Sequence, residues 1–90
     1  MNTAGAILRT PRDLGALVRS ARKKLGLSQK DLADRVGVSG MWISNLERGK
    51  GGARFDLILK TLAALNMQLR GEPDASDDDD FDFVQAVLEA

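Results

Sequence analysis

The stretch from Ser28 to Gly49 restricts this chain more than any other. Ser28 can cap a helix over Gln29 to Val36, with Asp31 in the first turn where the helix dipole favours an acid, and Gly37 stops it. Only Val38 separates that glycine from Ser39, which can cap a second helix from Gly40 to about Arg48, before Gly49. Two short helices joined by so tight a turn must cross closely, and the side chains meet that demand. Counting Gln29 as first, a small residue stands fifth (Ala33) and a glycine ninth (Gly37). Apolar residues stand fourth, eighth, tenth, fifteenth and eighteenth: Leu32, Val36, Val38, Ile43 and Leu46. A side chain larger than Ala33 at the crossing would push the helices apart, and Gly37 accepts a backbone angle costly for other residues.

The flanks extend the helical pattern. Thr10-Pro11 opens a helix whose apolar residues Leu14, Leu17, Val18, Ala21 and Leu25 recur at helical spacing, and Gly26 ends it. Ala6-Ile7-Leu8, ahead of it, fits a short strand. After a glycine-rich loop, Gly49 to Ala53, Asp56 is expected to cap a fourth helix, Leu57 to Leu65, whose apolar residues cover more than one stripe and leave a face for another subunit. Asn66 stops it, and Met67 to Arg70 then alternates as an edge strand would. The expected fold is all-α: a bundle of about four core helices over residues 12–70, preceded by an arm at 1–11 and followed by a short C-terminal strand. Gly71 to Asp80 is too polar to bury anything and reads as a disordered linker, so residues 71–90 form an acidic tail. Within that tail Phe81, Val84, Val87 and Leu88 line one face of a short helix, with Phe83 beside it.

Charge and composition narrow the chemistry. The chain is formally neutral, yet residues 1–70 hold all 13 Lys and Arg against five acids, Asp13, Asp31, Asp34, Glu47 and Asp56. That part can present a basic face to a polyanion while the tail carries the compensating charge. With no cysteine and no histidine, the chain lacks a disulfide framework, an ordinary zinc site, a thiol nucleophile and an imidazole base, so neither an enzyme, a metal nor another cofactor is expected. No apolar run approaches the roughly 20 residues of a membrane span, and no long hydrophobic signal region opens the sequence, so no membrane partner and a cytoplasmic location are expected.

The segment LSQKDLADRVGVSGMWISNLERGK resembles the Xre or Cro/cI family of helix-turn-helix DNA-binding domains, and the resemblance covers about residues 12–70. It implies a fold like that of the lambda repressor. The preceding TPRDLGALVRSARKKLGLSQ and the following LKTLAALNMQL are most similar to HipB-like antitoxins of type II toxin-antitoxin systems. That likeness implies a homodimeric repressor of its own double-stranded DNA operator, paired with a HipA-like kinase toxin.

Geometry and resemblance together nominate the contacts. The helix after the turn can enter the major groove with the residues near its start facing base edges, namely Ser39, Gly40, Met41, Ser44 and Asn45. By resemblance Gly40, Met41 and Asn45 read bases; Gly40 has no side chain, so readout leans on Asn45 to adenine, Met41 against a thymine methyl, and DNA shape. Gln29 resembles a phosphate contact at a helix start, and Lys30, Arg48, Lys50 and Arg54 can add others. Trp42, beside the inward Ile43, either rests on the DNA backbone or on a partner, or shields the core.

Arg22 and Glu47 match an Arg–Glu ion pair of phage-repressor relatives, a structural role. One recognition helix reads too few base pairs to select a genomic site, whereas a two-fold dimer sets two such helices roughly 34 Å apart. Ile58, Leu62 and Leu65, with Met67 and Leu69 of the strand, are the expected dimer interface, unless the helix residues fill the core. The tail either solubilises the chain, docks on a partner through Phe81, Phe83, Val84, Val87 and Leu88, or competes with DNA for the basic face. A stand-alone phage or metabolic regulator without a toxin and a protein-interaction adaptor are the alternative functions.

Overall fold

The computed structural model describes residues 5–73 and 87–88. Among them are four α-helices in chain order, α1 (Pro11–Lys24), α2 (Gln29–Val36), α3 (Gly40–Glu47) and α4 (Phe55–Ala64). Local chemistry sets the first three starts. Thr10 Oγ1 accepts from the Asp13 backbone N–H at 3.1 Å, while Asp13 Oδ2 accepts from the Thr10 N–H at 3.1 Å and the Arg9 N–H at 2.8 Å. Ser28 and Asp31 repeat the reciprocal pair at 2.9 Å each way. Such boxes satisfy donors that a helix leaves open at its first turn. Hydrogen bonds from the backbone hold both carboxyls below their ordinary values, led by Arg9 for Asp13 and Ser28 for Asp31.

Gly37 stands at φ 87° and ψ 35°, the left-handed region that the corner requires. Its N–H and that of Val38 both return to the Ala33 carbonyl, at 2.8 and 3.0 Å, so the α2 end and the turn share one acceptor. The helices then close on a core of Val18, Leu32, Ala33, Val36, Ile43, Leu46, Leu62 and Leu65. Burying each of the larger side chains stabilises the fold by about 1.5–3 kcal/mol. α2 packs on α3 and α4, and α1 packs on α3.

The α1–α3 approach depends on Gly15. A Cβ there would lie 2.5 Å from the Leu46 carbonyl oxygen and 2.6 Å from that of Glu47, backbone atoms that cannot turn aside.

Several expectations are corrected. Leu25 is not on the packed face of α1; it follows the last helical residue and is largely exposed. α4 opens at Phe55, two residues before the expected start, with Arg54 as its cap and no side-chain cap bond. Asp56 therefore lies inside the first turn, where Arg54 Nε and the second guanidinium nitrogen donate to it at 3.1 and 2.6 Å. Leu62 and Leu65 are 3% and 4% exposed within the chain's own core, so they cannot meet a second copy. Ile58 and Met67 are half-buried against that core, and Leu69 is exposed. Neither Ile7-Leu8 nor Met67 to Arg70 is a strand: no strand exists among the described residues. A four-residue edge has no ladder partner within a single helical chain. Asn66 does stop α4, at φ 61°. Phe81, Phe83, Val84 and the aspartate run lie outside the described residues, while Val87 and Leu88 are exposed.

Candidate nucleic-acid interface

Ser39 positions the start of α3, its Oγ accepting from the Trp42 N–H at 3.0 Å. Ile43 and Leu46 turn inward and are buried, which fixes the rotation of the helix. Met41, Ser44 and Asn45, at spacings of three and four, then share the opposite side, since residues so spaced are neighbours on a helix. Met41 is 65% exposed. Ser44 and Asn45 are half-buried, and Ser39 and Gly40 are exposed. All five nominated base-contacting residues thus lie together on or beside the first two turns of α3.

Arg48 continues the row one step beyond Asn45 and donates a short hydrogen bond to Asn45 Oδ1. Asn45 keeps its amide N–H donors without a side-chain or backbone acceptor among the described residues, and its oxygen keeps a second lone pair. Trp42 is half-buried against the core and, with Asn45, Lys50 and the Gly51–Gly52 loop, lines a shallow cleft of about 170 Å³.

Gln29, nominated as a phosphate contact, is half-buried and turns toward Glu47. Its Nε2 donates to Glu47 Oε1 at 3.1 Å, joining it to the ion pair in which Arg22 Nε and its second guanidinium nitrogen hold the two Glu47 oxygens at 2.6 and 3.0 Å. Arg22 also donates to the Leu27 carbonyl at 2.8 Å. The pair is enclosed, its side chains 10% and 3% exposed. Burial pushes the Glu47 carboxyl up, but the hydrogen bonds from Arg22 and Gln29 outweigh it and hold the group below its ordinary value. The Glu47 hydrogen bond in turn raises the Arg22 pKa above its ordinary value, against burial. The pair therefore ties the end of α1 to the end of α3 and to the start of α2, bracing both helices of the corner.

The remaining nominated cations are dispersed. Lys30 is exposed and pairs with Asp34 at 3.1 Å, and Arg54 pairs with Asp56; exposed pairs of this kind contribute little to stability. Lys50 is exposed on the loop after α3. The Arg54 hydrogen bond holds the Asp56 carboxyl below its ordinary value. Sequence reasoning missed a second basic lining: Arg12, Ala16, Arg19, Ser20 and Lys23 of α1 face Glu47 and Arg48 across a groove of about 420 Å³. Its signal was present as cations at helical spacing on α1. No group of potential metal ligands occurs among the described residues, and no helix there is long and apolar enough to cross a membrane.

The comparisons agree with this geometry. A family model described as a helix-turn-helix domain matches residues 13–72. The HTH-type transcriptional regulator y4mF of Sinorhizobium fredii, described as uncharacterized, is 40% identical over 62 residues, which are 69% of this chain and 82% of the relative. Among solved structures, the clp gene regulator ClgR from C. glutamicum is similar with a TM-score of 0.63 at 31% identity, covering 74% of this chain and 85% of its own. HipB in its O4 20mer complex is similar with a TM-score of 0.68 at 25% identity, covering 77% of this chain and 96% of its own. With an α3 row turned away from the core, a glycine-turned corner and these relatives, the chain belongs to the helix-turn-helix domain family, as an Xre-type DNA-binding transcriptional regulator.

Proposed function

We propose that this chain is a sequence-specific repressor that binds its own operator as a homodimer, and that it is the antitoxin of a HipBA-like operon with a HipA-like kinase toxin as partner. The observation that carries the reading is the row Met41, Ser44 and Asn45 on the open side of α3, whose other side is anchored by Ile43 and Leu46. A helix so presented fits the major groove, where Asn45 and Met41 meet base edges and Lys30, Lys50 and Arg54 meet phosphates. The likeness to HipB in complex with a 20mer supports the antitoxin reading. In the dimer, Phe55 and Leu59 of α4, with Leu69, take the place that Leu62 and Leu65 cannot fill. These three are 61%, 42% and 48% exposed, and Phe55 and Leu59 stand four residues apart on one helix face.

The likeness to ClgR, a gene regulator by its description, favours a second reading, a regulator without a toxin. Selection of genomic fragments by the purified chain, followed by co-purification with any kinase-like protein that the adjacent reading frame encodes, decides between them. The antitoxin reading expects enrichment of the fragment upstream of its own gene and a stable complex with that kinase. Recovery of unrelated promoters only, with no such complex, contradicts it.

A further inference from the structure

We propose that the groove between α1 and the end of α3 is a second polyanion site, which takes the sugar-phosphate backbone of duplex DNA beside the bases that α3 reads. The inference rests on the DNA-reading role of α3. Arg12, Arg19 and Lys23 recur at spacings of seven and four on α1, so they form one stripe spanning about 16 Å of helix axis. Ala16 and Ser20 lie between them, small enough to leave the floor of the groove open. The stripe meets a B-form strand that carries one charge every 3.4 Å of axis, so its length covers several phosphates.

Two further features favour a phosphate chain. Glu47 is the one acid among the lining residues, yet both its oxygens accept from Arg22 and one also from Gln29. The groove therefore presents cations without an open carboxylate. None of Arg12, Arg19 and Lys23 is ion-paired among the described residues. Arg48 lines the groove and also touches Asn45, so the basic track begins where the base-reading row ends. That continuity favours DNA over an acidic peptide, which has no reason to lie beside a base-reading row.

The test uses the full chain carrying Arg19→Ala with Lys23→Ala, both exposed positions, and a control carrying Lys24→Ala with Lys60→Ala, exposed cations outside the groove. Binding to a labelled random-sequence duplex is followed by fluorescence anisotropy across a salt series. Each lost phosphate contact flattens the log–log salt slope by about 0.9. The groove variant is expected to lose about 1.8 per protomer and to keep its order of preference among sequences, while the control keeps the wild-type slope. An unchanged slope in the groove variant, an equal loss in the control, or tighter binding by the groove variant, as release of the chain's own acidic tail would give, overturns the proposal. Failure of the wild-type chain to prefer any sequence would instead strike at the role of α3 and is read separately, from competition with selected duplexes.

Discussion

Truncating Arg22 to alanine removes three hydrogen bonds at once, two to Glu47 and one to the Leu27 carbonyl. Glu47, its side chain 3% exposed, keeps only the Gln29 amide. Breaking an enclosed pair by deleting one partner costs about 3–5 kcal/mol, because the remaining charge stays in place without compensation. A core of this size rarely supplies more than about 3–5 kcal/mol in total, so Arg22→Ala is expected to stand near its unfolding midpoint without denaturant. Urea unfolding at neutral pH, followed by far-ultraviolet circular dichroism, reads the effect. For small proteins the slope is about 1–3 kcal/mol per molar, so the midpoint falls by a molar or more and the folded baseline shortens or vanishes. A second variant separates the buried charge from lost packing. Arg22→Met with Glu47→Leu replaces both partners by apolar groups and is expected to recover most of the loss. A loss below about 1 kcal/mol in Arg22→Ala, or a double variant as unstable as the single one, would refute the reasoning.

Three other outcomes follow from the same geometry. Gly15→Ala replaces a poor helix former by the best one, yet it is expected to lower the thermal midpoint, since the new methyl meets two carbonyl oxygens at 2.5 and 2.6 Å; a raised midpoint contradicts the close approach. Gly40→Ala, where an added Cβ meets nothing within 4 Å, is expected to raise stability by about 0.4–1 kcal/mol in the same melt, and a loss would show that the start of α3 is not open. The lowered pKa of Glu47 makes its contribution to stability fully present above the ordinary glutamate value of 4.5 and lost as pH falls through the folded value. Urea midpoints measured from about pH 6 down to 3 should therefore fall, and less steeply in Glu47→Gln; identical slopes would remove Glu47 from the account.

The corner was legible because its signals are local. Ser28, Asp31, Gly37 and Ser39 act within a turn of their own positions, so they mark α2 and the start of α3 without tertiary information. α4 was less so, for a physical reason. Phe55, Leu57, Ile58, Leu59, Leu62 and Leu65 spread over more than half of its circumference, and periodicity cannot choose the inward side within so broad an apolar arc. Packing on α2 decides it, burying Leu62 and Leu65 and leaving Phe55 and Leu59 outside. Gly15 carried no local signal, because its significance lies in carbonyl oxygens more than thirty residues away in the chain. Gln29 was expected to face a phosphate, and its bond to Glu47 needed the α2–α3 crossing angle to be known. The α1 cations were visible in sequence but had no site until α3 ended opposite them.

Asn45 stands at the centre of the row that is held to read DNA, and its replacement tests that claim most directly. Affinities of wild-type and Asn45→Ala chains are measured by anisotropy at one fixed salt concentration, on a duplex selected by the wild-type chain and on a random-sequence duplex. The account predicts a loss of about 1–3 kcal/mol on the selected duplex and almost none on the random one. Equal losses on both duplexes, or none on either, would contradict it.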